Sequence, residues 1–250
     1  MKRTLMICMI AIAAVVFFHS VNHEAEEEKV GSTAADITAD AQEEALPASM
    51  QQKTDIINYQ EGFTRQPISD EIKARIMGIS YKENPDISYD DLQYLTIRYV
   101  DFEGNTKEGE MICNMLIAQD LLEIFYELYE AGYPIANISL IDDYHADDQA
   151  SMEANNSSCF NYRTIAGSDK LSNHAMGMAV DINPLYNPYV SVSSGKTTVM
   201  PASAEIYADR EQDIPGKIDS SDLCYQLFTA HGFTWGGEWE SRKDYQHFEK

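Results

Sequence analysis

An α+β domain is the fold class this sequence predicts, a small antiparallel sheet with flanking helices. Three observations carry it. The run "LQYLTIRYVDFEGNTKEGEMIC" alternates apolar and polar residues on both sides of a Gly-Asn turn, which reads as a β-hairpin. The next run, "NMLIAQDLLEIFYELYEAGYP", has apolar residues at helical spacing. Beyond it, short strand-like runs are separated by long polar stretches, a pattern of mixed rather than all-helical architecture.

Taken in order, the folded part begins between Ile56 and Ile72, with its core over roughly residues 70–250. The hairpin leads into a helix with Leu116, Leu121, Ile124, Phe125 and Leu128 on its apolar face. Asn114 is its expected N-cap, and Gly132 with Pro134 its stop. "IANISLID" reads as a short strand. "DYHADDQASMEANNSSCFNYRTIAGSDK" is too rich in Asn, Ser and Asp for regular structure, and long loops of this kind are commonly functional or disordered. A strand at "GMAVDIN", an excursion from Pro184 to Pro215, a helix near "SSDLCYQLFTAHG" and a last strand near "YQHFE" complete the domain.

Ahead of it, residues 1–23 place Lys2 and Arg3 before an apolar stretch from Leu5 to Phe18. That is the layout of a signal peptide or an N-terminal membrane anchor, so export is expected. Residues 24–55 form an acidic spacer without the apolar content to order itself, and the domain proper is 56–250. A net charge of −23 argues against nucleic acid and against an anionic membrane surface, because no basic stripe is available to neutralise phosphates. Any membrane contact is therefore expected only through the N-terminal segment, and the chain is expected to be a monomer. Cys113, Cys159 and Cys224 match no zinc-ribbon spacing and read as core thiols, with one optional disulfide.

The chemistry centres on "LSNHAMGMAVDIN", which sets His174 and Asp181 in a thin, apolar run. A buried carboxylate is costly unless paired or metal-bound, so these two are ligands or Asp181 is an ordinary capped or salt-bridged residue. A catalytic zinc commonly takes two His and one carboxylate and leaves a position open. Near the C-terminus, "WGGEWESRKDYQHFEK" offers His247 with Asp244 three residues before it, a spacing that one turn of chain can aim at a shared centre. Gly177 lets the backbone turn between His174 and the strand bearing Asp181. His231 reads as a helix-end residue and His145 as part of a solvated loop. Asp142, Asp143, Asp147 and Asp148 lack the Gly and Glu of an EF-hand and read as an acidic loop rather than a calcium site.

"SNHAMGMAVDIN" and "DYQHF" resemble the two zinc signatures of the M15 metallopeptidases, the D-alanyl-D-alanine carboxypeptidase and dipeptidase family. The aspartate ahead of the last histidine is similar to the L-alanyl-D-glutamate endopeptidase branch, which includes phage endolysins. "NNSSCFNYR", "DINPLYNPYV" and "WGGEW" look like the carboxypeptidase-like bacterial members. The resemblance covers roughly residues 70–250. It implies a fold of the hedgehog/D-Ala-D-Ala peptidase type and a bound Zn2+ on His174, Asp181 and His247. Asp244 is then the general base and Arg163 the donor that steadies the oxyanion. Ser172 lies behind the ligands or against the substrate. Glu238 is either a partner behind the ligands or a rival base. Tyr162, Tyr186 and Tyr189 line a groove or simply pack.

The expected function is that of an exported, extracytoplasmic zinc peptidase acting on the peptidoglycan stem peptide, a D-alanyl-D-alanine carboxypeptidase first and an L-alanyl-D-glutamate endopeptidase second. The rival from another class is a zinc-containing cell-wall binding domain without turnover, which would need neither Asp244 nor Arg163.

Overall fold

The computed structural model describes residues 55–250. The expected leader and nearly all of the expected acidic spacer lie outside the described residues. No helix among the described residues is long and apolar enough to cross a membrane.

Strands β1 (Ile57–Gln60) and β2 (Phe63–Pro67) are followed by α1 (Asp70–Ile76), capped by the Ser69 side chain. The expected hairpin is present as β3 (Leu92–Val100) and β4 (Thr106–Asn114), paired without a break from Leu92 opposite Asn114 to Val100 opposite Thr106. Its turn is closed by Asp101, whose Oδ1 accepts from the backbone N–H groups of Glu103 and Asn105. The four strands form one antiparallel sheet in the order β1-β2-β3-β4.

Helix α2 (Ala118–Glu130) lies on this sheet and buries Leu121, Leu122, Ile124, Phe125 and Leu128 against Leu95, Ile97 and Met111. Each such side chain contributes about 1.5–3 kcal/mol when withdrawn from water. Two expectations for this segment need correction. Asn114 does not cap the helix: it ends β4, and its Oδ1 accepts from Leu116 N at 3.0 Å, so the first helical residue comes four positions later. Leu116 consequently sits in the connecting turn and is 74% exposed. Gly132 does stop the helix, at φ +66.

The polar stretch after it is more ordered than its composition suggests. It folds as a 3-10 turn (Ile141–Tyr144), α3 (Asp148–Glu153) and β6 (Asn156–Ser157), which pairs in parallel with β5 (Asn137–Ile138), all that forms of the strand expected at "IANISLID". The side chains there are polar because they satisfy one another in the interior. Asn156, 1% exposed, accepts at Oδ1 from Ser139 N and donates from Nδ2 to Ser139 O and Ser151 Oγ. Buried polar groups are tolerated where every donor and acceptor finds a partner.

The Pro184–Pro215 excursion contains a hairpin of β8 (Tyr189–Ser193) and β9 (Lys196–Met200). Arg210 pins this excursion: it donates to the carbonyls of Tyr186 and Ile218 and to Asn187 Oδ1, and lies 4.5 Å from the Tyr245 ring centroid. Helix α4 (Leu223–Ala230) starts at Asp222, whose carboxylate accepts from Cys224 N. The chain ends with β10 (Thr234–Trp235), β11 (Arg242–Asp244) and β12 (His247–Glu249). With β7 (Ala179–Asp181) they make two further antiparallel sheets, β10-β12-β7 and β11-β8-β9. The α+β class stands, with three antiparallel sheets instead of one. Cys113, Cys159 and Cys224 are buried free thiols, so the optional disulfide is not formed.

Candidate metal centre

Strands β7 and β12 run antiparallel in a register that sets Asp181 opposite His247, Val180 opposite Phe248 and Ala179 opposite Glu249. Side chains alternate across a strand. Val180 and Phe248 are fully buried in the main core, which commits Asp181 and His247 to the other face. Phe248 stacks on Phe228 with ring centroids 4.3 Å apart, so the aim of His247 is set by its apolar neighbour.

His174 arrives on a 3-10 turn (Asn173–Met176) opened by Ser172, whose Oγ accepts from His174 N at 3.3 Å. Gly177 closes that turn at φ +64. A Cβ at Gly177 would stand 2.6 Å from the backbone N of Asn114, which donates to Gly177 O at 2.8 Å. Only glycine accommodates both the left-handed conformation and that approach.

The three side chains converge. His174 Nε2 is 3.3 Å from Asp181 Oδ2, His247 Nδ1 is 3.0 Å from Asp181 Oδ1, and the two nitrogens are 3.2 Å apart. Among the described residues this is the one group of three with ligand atoms all within 4.8 Å of one another. Each outer ring nitrogen faces an acceptor: His174 Nδ1 lies 2.6 Å from Cys159 O, and His247 Nε2 lies 3.0 Å from Glu249 Oε2. With protons held outside by these acceptors, both inner nitrogens can offer lone pairs to a cation beside the carboxylate. Two imidazole nitrogens and a carboxylate are the donor set of a catalytic zinc, and the residues fit that ion.

The electrostatics are those of a tight polar cluster in an apolar wall. Burial alone would raise Asp181, but His174 and His247 outweigh it and hold its carboxyl well below the ordinary range. Burial likewise works against the charged form of His247, yet its bonds to Asp181 and Glu249 push it up to about 10. Asp244, the last residue of β11, moves the other way: burial raises it to about 6, against the pull of His247. Its Oδ1 accepts from Gln246 Nε2 at 3.1 Å, and Gln246 is itself 3% exposed. Asp244 and His247 thus stand at either end of a short strand-to-strand turn.

Gly236 underlies both. A Cβ there would lie 2.6 Å from Asp244 O and 3.3 Å from His247 Cβ. Gly236→Ala is expected to cost about 1–3 kcal/mol of stability by overpacking. Activity should fall further than folding does, because displacement of a reacting group by an ångström can cost about 100-fold. Thermal unfolding and kcat measured together check this, and an alanine variant with wild-type kcat would refute it.

The remaining predicted residues are placed apart from the three. Arg163 carries an ion pair to Asp148 at the start of α3, and its carbonyl accepts from Ser172 N. Glu238 is exposed and accepts from the Tyr225 hydroxyl at 2.7 Å. Tyr162 donates to Asp86 at 2.6 Å, and Tyr186 packs edge-on between Phe102 and Tyr207. Tyr189 pairs with Asp244 across β8 and β11. His231 ends α4 with Nδ1 3.4 Å from Asp120, and His145 is an exposed residue at φ +57. The acidic loop is fully engaged by protein: Asp142 accepts from Ser80, Asp143 pairs with Arg75, Asp147 caps α3 and Asp148 holds Arg163.

Residues 166–250 match the family described as D-alanyl-D-alanine carboxypeptidase, of the M15 peptidases. No curated protein and no solved structure matches the chain. The matched segment contains His174, Asp181, Asp244 and His247, whereas Arg163 and Tyr162 lie just ahead of it. Three contributors to this site are absent from the sequence-based expectations: Glu249, Gln246 and the carbonyl of Cys159. Glu249 had a readable signal, since it stands two residues from His247 in a strand and so shares its face. The other two had none, because their roles depend on chain segments brought together from a distance.

Proposed function

We propose that the chain is a zinc-dependent peptidase of the M15 family that hydrolyses an amide bond of the peptidoglycan stem peptide, as a D-alanyl-D-alanine carboxypeptidase. The observation that carries the reading is the convergence of the inner nitrogens of His174 and His247 on Asp181, with both outer nitrogens held by acceptors. The ion, when bound there, supplies the Lewis acidity that polarises the scissile carbonyl. Asp244 accepts a proton from the attacking water as the C–O bond forms, and returns it to the amine nitrogen as the C–N bond breaks. Arg163, ion-paired to Asp148 on the segment next to Ser172, supplies a guanidinium to the developing oxyanion. The carboxypeptidase choice rests on the family that residues 166–250 match. Export is supported by the leader pattern of residues 1–23.

Mass spectrometry of purified muropeptides after incubation with the zinc-loaded chain tests the reading. Loss of one terminal alanine is the expected product. Cleavage after L-Ala would make the enzyme an endopeptidase, and an unchanged muropeptide pool beside bound zinc would leave a binding domain.

A further inference from the structure

We infer that Glu249 is a positioning residue of the metal centre, locking His247 in the ligating orientation and tying strand β12 to the turn that bears His174. The inference rests on the zinc reading above and extends it to a residue outside the donor set.

Alternation along β12 puts Glu249 on the same face as His247, with Phe248 between them driven into the core. One carboxylate oxygen, Oε2, then receives two donors. It lies 3.0 Å from His247 Nε2 and 2.6 Å from Asn173 Nδ2. Asn173 is the neighbour of His174 in the 3-10 turn, so a single oxygen joins both histidine-bearing segments. An anionic acceptor on Nε2–H selects the tautomer whose Nδ1 lone pair is free for a cation beside Asp181, and it makes that nitrogen a better donor to that cation. Glu249 is not a fourth ligand, because it meets the nitrogen that points away from the cluster.

The two histidines differ in how they are held. His174 uses a backbone carbonyl, that of Cys159, which no substitution removes. His247 depends on a side chain, so the orientation of one ligand can be varied without touching any of the three.

The test is zinc affinity of the full chain, by competition with a chromophoric chelator, for wild type, Glu249→Gln, Glu249→Ala and Asn173→Ala. Thermal unfolding of each after chelation and dialysis is the folding control. Glu249→Ala is expected to bind zinc about 10- to 100-fold more weakly, the usual effect of losing such a partner. Glu249→Gln should fall between it and wild type, since an amide oxygen still accepts from Nε2–H without the charge. Asn173→Ala should weaken binding less than Glu249→Ala does. Wild-type affinity in Glu249→Ala overturns the inference while leaving the zinc reading intact. So does a loss of affinity matched by an equal loss of folding in the control, with Glu249→Gln binding as wild type. A wild-type chain that binds no zinc overturns both.

Discussion

Asp244→Asn is expected to lower kcat by about 10²- to 10⁴-fold, the range of a general base, with zinc still bound. The substitution preserves shape. An asparagine Oδ1 still accepts from Gln246 Nε2, so the turn between β11 and β12 keeps its hydrogen bond and loses only the proton acceptor. Glu238→Gln is the matched control and should retain near wild-type kcat, because Glu238 is exposed and bonded to Tyr225. A kcat within twofold of wild type in Asp244→Asn, or a collapse in Glu238→Gln, would reverse the two roles. The pH dependence follows from the same carboxyl. In the proposed mechanism Asp244 works as the anion, so activity is expected to be lost as pH falls through its pKa, which burial raises to about 6. A bound cation favours the anion and moves that limb lower. The acid limb of kcat/KM is therefore expected at or below about pH 6, and it should vanish from the residual activity of Asp244→Asn.

His247→Ala is expected to abolish both zinc binding and hydrolysis, taking the metal content from about one ion per chain to none measurable. Two ligands remain in such a variant, and Asp181 is left with only His174 beside it. Elemental analysis after gel filtration, alongside the muropeptide assay, reads both effects. One retained equivalent of zinc would refute the ligand assignment. A point substitution is the right instrument here, because truncation before His247 would also remove Phe248. That ring is fully buried and stacked on Phe228, and its loss would cost about 3–5 kcal/mol of core. Truncation would also delete β12, the middle strand of its sheet, so a dead protein would say nothing about the metal.

Much of this molecule was legible along the chain. The β3–β4 hairpin follows from period-two alternation around a turn, and α2 from apolar residues recurring at helical spacing. Both signals are local, and local periodicity survives folding when the element is long. The polar stretch before Cys159 misled for an equally physical reason. Asn and Ser usually mark loops, but Asn156 and Ser151 are buried there because they bond to each other, and Asn156 bonds to Ser139 as well. Composition does not distinguish a solvated amide from one satisfied inside. Asn114 misled similarly, since an Asx turn and an N-cap use the same side chain a few residues apart.

By itself the sequence determined the β3–β4 hairpin, helix α2 and the glycine at the end of the His174 turn, because each depends on residues a few positions apart. Only the tertiary structure decided how the donors meet. Asp181 and His247 are 66 residues apart and become neighbours through the register of β7 on β12, which the burial of Val180 and Phe248 enforces. The Cys159 carbonyl on His174, the Gln246 amide on Asp244 and the Asp148 carboxylate on Arg163 also come from the fold. Hydrogen-bond partners across a core are chosen by packing, and packing is a property of the whole chain rather than of any window along it.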